Sequence, residues 1–91
     1  MKKIESVAVL KIGTTAQTVA VNGLAFLVQN NSDAAAVYFK EKRADGIAAS
    51  AQNGYRLGPG ASTAIPMTAL ELSVVADDAD TDVRVLLLDE D

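Results

Sequence analysis

NGYRLGPGASTAIPMTALELSVVADDADTDVRVLLLD, running from Asn53 to Asp89, decides the fold class. It reads as turn, strand, turn, strand, acidic turn, strand. Gly58-Pro59-Gly60 makes a tight reversal, because proline fixes φ and glycine accepts positive φ. Leu70, Leu72, Val74 and Ala76 alternate with Glu71, Ser73 and Val75. A run of aspartates then precedes Val83, Val85 and Leu87. Period-two alternation closed by Gly, Pro and Asp clusters marks half-buried antiparallel strands.

The same cadence extends towards the N-terminus. Strands are predicted over Ile4–Ile12, Thr18–Val21, Leu24–Gln29 and Ala35–Glu41. Within the opening stretch they follow over Tyr55–Leu57, Ser62–Ile65, Ala69–Ala76 and Val83–Leu88. In the first strand Ile4, Ala8, Leu10 and Ile12 share one face, and Val7 and Val9 the other. Leu24, Phe26 and Val28 share a face, as do Val37 and Phe39. Asn22-Gly23 is a strong hairpin dipeptide, and Asn53-Gly54 is a second turn. Asn30-Asn31-Ser32-Asp33 is a turn by composition. Ile47–Ala51 is open between a short strand and a helical turn. About eight short strands at regular spacing suggest an all-β sandwich or barrel.

The chain has 91 residues, which suits one domain over 1–91. A domain of this size buries roughly 60–70% of its unfolded surface and is thinly stabilised alone. It has no cysteine and hence no disulfide framework, so association is an expected source of stability. Alanine is the commonest residue and aromatics make up 4%, so each buried side chain contributes little. The net charge is −4, and the basic residues Lys2, Lys3, Lys11, Lys40, Lys42 and Arg43 have acidic neighbours. That is not the basic face a nucleic acid needs. No segment approaches the ~20 apolar residues that span a bilayer, so no membrane partner is expected. Glu5 and Lys11 interrupt the first apolar run, which is too short for a signal-peptide core.

No chemistry stands out. Histidine and cysteine are absent, which removes the usual general base and thiol nucleophile. No enzyme activity, catalytic residue or cofactor is expected. Gly58-Pro59-Gly60 lacks the Lys-Ser/Thr and helix of a phosphate loop. Asp78, Asp80 and Asp82 have the 1-3-5 spacing of a calcium loop, a weak calcium candidate. The match fails at Val83, where glycine is needed, and at Asp89, where a bidentate glutamate is needed. A solvated hairpin loop is the preferred reading. Tyr38 and Tyr55 make a poor sugar platform, which disfavours a small glycan-binding domain. If Ala69–Ala76 and Val83–Leu88 form a hairpin, Val75, Leu86 and Leu88 lie on the face away from the core. Val7 and Val9 pose the same question on the first strand. These five are interface candidates, the other reading being that a loop of the chain covers them.

Three stretches carry a resemblance. QNNSDAAAVYF (29–39), NGYRLGPGAS (53–62) and ALELSVVADDADTDVRVLLLDE (69–90) together resemble small tailed-bacteriophage virion proteins. There a strand ending in Gln-Asn-Asn leads to a Tyr/Phe strand, a Gly-Pro-Gly turn and a terminal Val-Arg-Val strand. The resemblance covers roughly residues 24 to 90 and rests on turn and strand cadence. It implies a β-sandwich or jelly-roll subunit with no catalytic residues. It implies a capsid decoration (cement) protein, synthesised in the host cytoplasm and placed on the virion surface. Its partners would be the major capsid protein and copies of itself, a trimer first and a dimer next. A tail or fibre-associated receptor-binding module is the alternative.

Overall fold

The computed structural model describes residues 2–21, 25–43, 46–68 and 70–90, and their side chains except at 2–8, 63–68 and 88–90. Among these residues there are eight strands and no helix. They are β1 (Lys2–Ile12), β2 (Gln17–Ala20), β3 (Ala25–Asn30), β4 (Val37–Glu41), β5 (Tyr55–Leu57), β6 (Ser62–Thr68), β7 (Glu71–Ala76) and β8 (Thr81–Glu90). Each predicted strand is present. β5 matches its predicted limits, and the others shift by one to three residues at one or both ends.

Two four-stranded antiparallel sheets form, in the orders β1-β8-β3-β6 and β2-β7-β4-β5. We call them sheet A and sheet B. The pairs β1–β8, β2–β7, β3–β6 and β4–β5 are nested: the chain folds back on itself as one long ribbon. The ribbon is rolled up by two further pairings, β3–β8 and β4–β7. Eight strands arranged this way are a jelly roll, a sandwich built of two Greek keys.

Alternation makes the core. Ile12, Phe26, Val28, Val83 and Val85 project from sheet A onto Val37, Phe39, Leu57, Leu72 and Val74 of sheet B. Leu10 and Leu87 pack at the margin. Leu70 does not join them. It precedes β7 and is 74% exposed, while its carbonyl accepts the amide of Val21.

Two predicted hairpins are not hairpins. Asn22-Gly23 lies outside the described residues, but β2 and β3 on either side belong to different sheets. β7 and β8 are likewise in different sheets, so the loop at Asp77–Asp80 crosses between layers. A short polar turn can reverse the chain within a sheet or carry it across, and composition does not distinguish the two. Gly58-Pro59-Gly60 also crosses, from β5 in sheet B to β6 in sheet A. There Gly60 has φ 75° and Ala61 donates to the Gly58 carbonyl at 3.0 Å.

Segment 46–54 is neither strand nor helix over Ile47–Ala51. It lies on the outside of sheet B. Ala49 is buried, and its amide donates to Ser73 Oγ at 2.8 Å. Lys40 Nζ donates to the Ile47 carbonyl, and Asn53 Nδ2 to the Ala48 carbonyl. The segment closes with the Gly54 amide on the Ser50 carbonyl at 2.9 Å. A Cβ on Gly54 would stand 2.9 Å from Tyr38 Cβ and 3.0 Å from the Ser50 carbonyl oxygen. Gly54→Ala is therefore expected to cost roughly 1–3 kcal/mol, as overpacking does. Urea denaturation of the variant against wild type measures it, and an unchanged midpoint would contradict the close approach.

Candidate functional site

The two sheets treat their outer faces differently. On sheet B, Ser73 and Val75 point away from the core yet are buried, because segment 46–54 lies over them. Val75 is 9% exposed and is withdrawn as an interface candidate. The chain covers it with its own loop. The sequence placed it beside Leu86 by pairing β7 with β8, but the two strands lie in opposite sheets.

Sheet A has no such cover among the described residues. Its register brings Val7, Leu86, Leu27 and Ala64 into one row across all four strands. The next row holds Val9, Arg84, Gln29 and Ser62. Leu86 and Leu27 are half-buried, and Val9 is 59% exposed. A third row, Ile4, Leu88, Ala25 and Thr68, lies beyond Leu86. The side chains of Val7 and Leu88 lie outside the described ones, but their register positions adjoin Leu86. Four of the five interface candidates thus fall on one face. Sequence reasoning missed Leu27, whose place beside Leu86 follows only once β3 is known to pair with β8.

One end of this face is polar. Asp82 Oδ2 accepts from Asn31 Nδ2 at 3.0 Å and meets Arg84 Nη2 at 3.5 Å. The Asn31 hydrogen bond, with help from Arg84 and the charge of Lys11, holds the Asp82 carboxyl below its ordinary value. Its contribution to stability is therefore present at neutral pH and lost as pH falls through the acid range. Asp78 and Asp80 stand nearby around a shallow hollow lined also by Asn31–Ala35. The three carboxylates do not converge. Asp78 Oδ1 accepts the Ala79 amide, the Asp78 carbonyl accepts Thr81 Oγ1, and Asp80 takes φ 55° to turn the chain. No three acidic groups among the described residues come together as a cation would require, so the weak calcium candidate is not supported. The loop joins two sheets and is not the solvated hairpin the sequence predicts.

The tyrosines separate. Tyr55 is 57% exposed and its ring centroid lies 5.5 Å from that of buried Phe39. Tyr38 is half-buried on the outer face of sheet B, with its hydroxyl 3.4 Å from Asp77 Oδ2. They form no paired stacking surface. No protein-family model, curated protein or solved structure matches this chain.

Proposed function

We propose that this chain is a capsid decoration (cement) protein of a tailed phage, binding the outer shell through the open face of sheet A. The observation that carries this reading is the half-buried pair Leu86–Leu27 with the exposed Val9 beside it on the outer face of sheet A. The opposite sheet shields its comparable residues with a loop. An apolar patch left open on one face of a small domain marks a contact surface. The jelly roll fits, since the architecture recurs in viral capsid domains; it recurs in lectins too, so the fold alone does not decide function. The resemblance over residues 24–90 points the same way.

The mechanism is mechanical. A rigid sandwich laid across the joint between capsid subunits adds interface that must be broken before the shell can open. Many copies on one particle make a modest affinity per copy sufficient. No catalytic residue or cofactor takes part, and the protein acts on the virion surface after synthesis in the host cytoplasm.

Quantitative mass spectrometry of purified virions tests this. A copy number on the scale of the major capsid protein is expected. A number on the scale of tail components would replace the reading with a tail or fibre module, and absence from the particle would end it. Leu86→Lys places a charge in the middle of the row while leaving Val74, Val85 and Leu87 in place. It should weaken binding to shells by about tenfold or more, the scale of losing one interface anchor. Circular dichroism checks that the variant folds. A folded variant that binds as wild type would show that Leu86 is not in the contact.

A further inference from the structure

Two Asn-Gly dipeptides stand in this chain, at Asn22-Gly23 and Asn53-Gly54. Such a pair is open to a slow reaction with itself. The glycine nitrogen attacks the asparagine Cγ, the Cγ–Nδ2 bond breaks, and ammonia leaves behind a cyclic succinimide. Water then opens the ring to aspartate, or to isoaspartate, in which the main chain runs through the side-chain carboxyl carbon. Glycine favours the attack because no side chain shields its nitrogen. At Asn53 the groups this reaction needs are already engaged. Asn53 Oδ1 accepts the Ser50 amide at 2.8 Å, and Nδ2 donates to the Ala48 carbonyl at 3.0 Å. The Gly54 amide donates to the Ser50 carbonyl at 2.9 Å. The Gly54 nitrogen must give up its proton and the side chain must swing to meet it, so these bonds have to break first. They are also the bonds that fold segment 46–54 over Ser73 and Val75, where the Ala49 amide on Ser73 Oγ ties it down at 2.8 Å. The product suits that place less well than the asparagine. Either carboxylate lacks the Nδ2 donor, which leaves the Ala48 carbonyl without it. Isoaspartate also lengthens the main chain just before Gly54, where even a Cβ would stand 2.9 Å from Tyr38 Cβ.

We propose that Asn53 is a deamidation site controlled by the opening of segment 46–54, and that its conversion stops the segment from closing again over Ser73 and Val75. While the segment is closed, the hydrogen bonds around Asn53 protect it. A surface segment held by a few bonds opens at far less cost than the whole fold. Loss of ammonia is irreversible, so brief openings add up over time as modified chain. The modified chain then bares Val75 and the Ser73 hydroxyl on the outer face of sheet B. This inference stands on the contacts of Asn53 and Gly54 and does not rest on the decoration reading.

The test incubates the purified chain at mildly alkaline pH and follows the peptide holding Asn53 by mass spectrometry, separating aspartate from isoaspartate. In the folded chain Asn53 should react slower than in concentrated urea by about tenfold or more. Ser73→Ala removes the tie at Ala49 and should speed the reaction of the folded chain about tenfold, the scale of one buried hydrogen bond. Circular dichroism checks that this variant folds. Lys40→Ala, which removes the exposed tie to the Ile47 carbonyl, should act in the same direction and serves if Ser73→Ala does not fold. Asn53→Asp reproduces one of the two products. By hydrogen exchange it should leave β7 protected while the Ala49 and Gly54 amides exchange about tenfold faster than in wild type. Equal rates for Asn53 in the folded chain and in urea overturn the proposal, because the segment then protects nothing. A folded Ser73→Ala or Lys40→Ala chain that reacts no faster than wild type overturns the control by opening. Wild-type exchange at Ala49 and Gly54 in Asn53→Asp, and in chain converted to isoaspartate, would show that the segment closes again and would overturn the rest.

Discussion

Asn30→Ala should destabilise the protein by about 2–4 kcal/mol, because it would strand several buried polar groups at once. Asn30 ends β3 and is fully buried. Its Nδ2 lies 2.8 Å from the Ala35 carbonyl and 3.1 Å from each of the Leu57 and Gly58 carbonyls. Two hydrogens serve three acceptors, so one bond is shared. Its Oδ1 accepts the Ser32 amide at 3.0 Å. The side chain thus ties a strand of sheet A to the end of β5 in sheet B and to the approach of β4. Alanine would leave the three carbonyls without this donor at a fully buried position. A domain of this size has ~5–15 kcal/mol in all, so the loss is a large share of it. Urea unfolding followed by circular dichroism reads the change as a shift in midpoint. Asn30→Asp should do no better, since a carboxylate brings no donor to those carbonyls. A wild-type midpoint for either variant would show that the cluster is not a clamp.

Phe39→Ala should cost about 3–5 kcal/mol, the usual range for emptying an aromatic site in a core. Phe39 sits in β4 between β5 and β7, opposite Tyr55 on one side and Val74 on the other. It is one of two aromatic residues in a core built mainly of valine, with Phe26 across the sandwich in sheet A. Small neighbours cannot collapse far to fill the space it leaves. The variant should be partly unfolded at 37 °C, with a thermal midpoint well below that of wild type. A drop of only a few degrees would mean that the surrounding valines close the cavity.

Alternation told which way a residue points but not which strand lies beside it. Phe26, Val28, Val37, Phe39, Leu72, Val74, Val83 and Val85 all face the core as their period-two pattern requires. The pairing partners were not legible, because a two-layer fold can send successive strands to opposite sheets. That is why Val75 was grouped with Leu86. One signal was present: Leu72 to Ala76 offers only Ser73 as a polar break, which marks a strand covered on both sides. Asn30 shows the opposite case. In QNNSD it reads as turn composition, and nothing local separates the buried asparagine from exposed Asn31 next to it. The outer face of sheet A was legible in Val7, Val9, Leu86 and Leu88. Leu27 was not, since its neighbour comes from the far end of the chain.

The nested ribbon also sets an order of assembly. Among the described residues, β4 and β5 are the one strand pair that adjoins in sequence and in a sheet, separated by segment 42–54. Every other pair closes a longer loop than the pair inside it, and loop closure costs more as the loop lengthens. Folding can therefore start at this bend and zip outward, with β1–β8 closing last. Non-local pairing of this kind is slow compared with helical folds. On the ribosome the delay is built in. At ~5–20 residues per second, β1 emerges seconds before β8 exists to receive it. Until then both of its edges are bare, which makes newly made chain the species most exposed to wrong pairing.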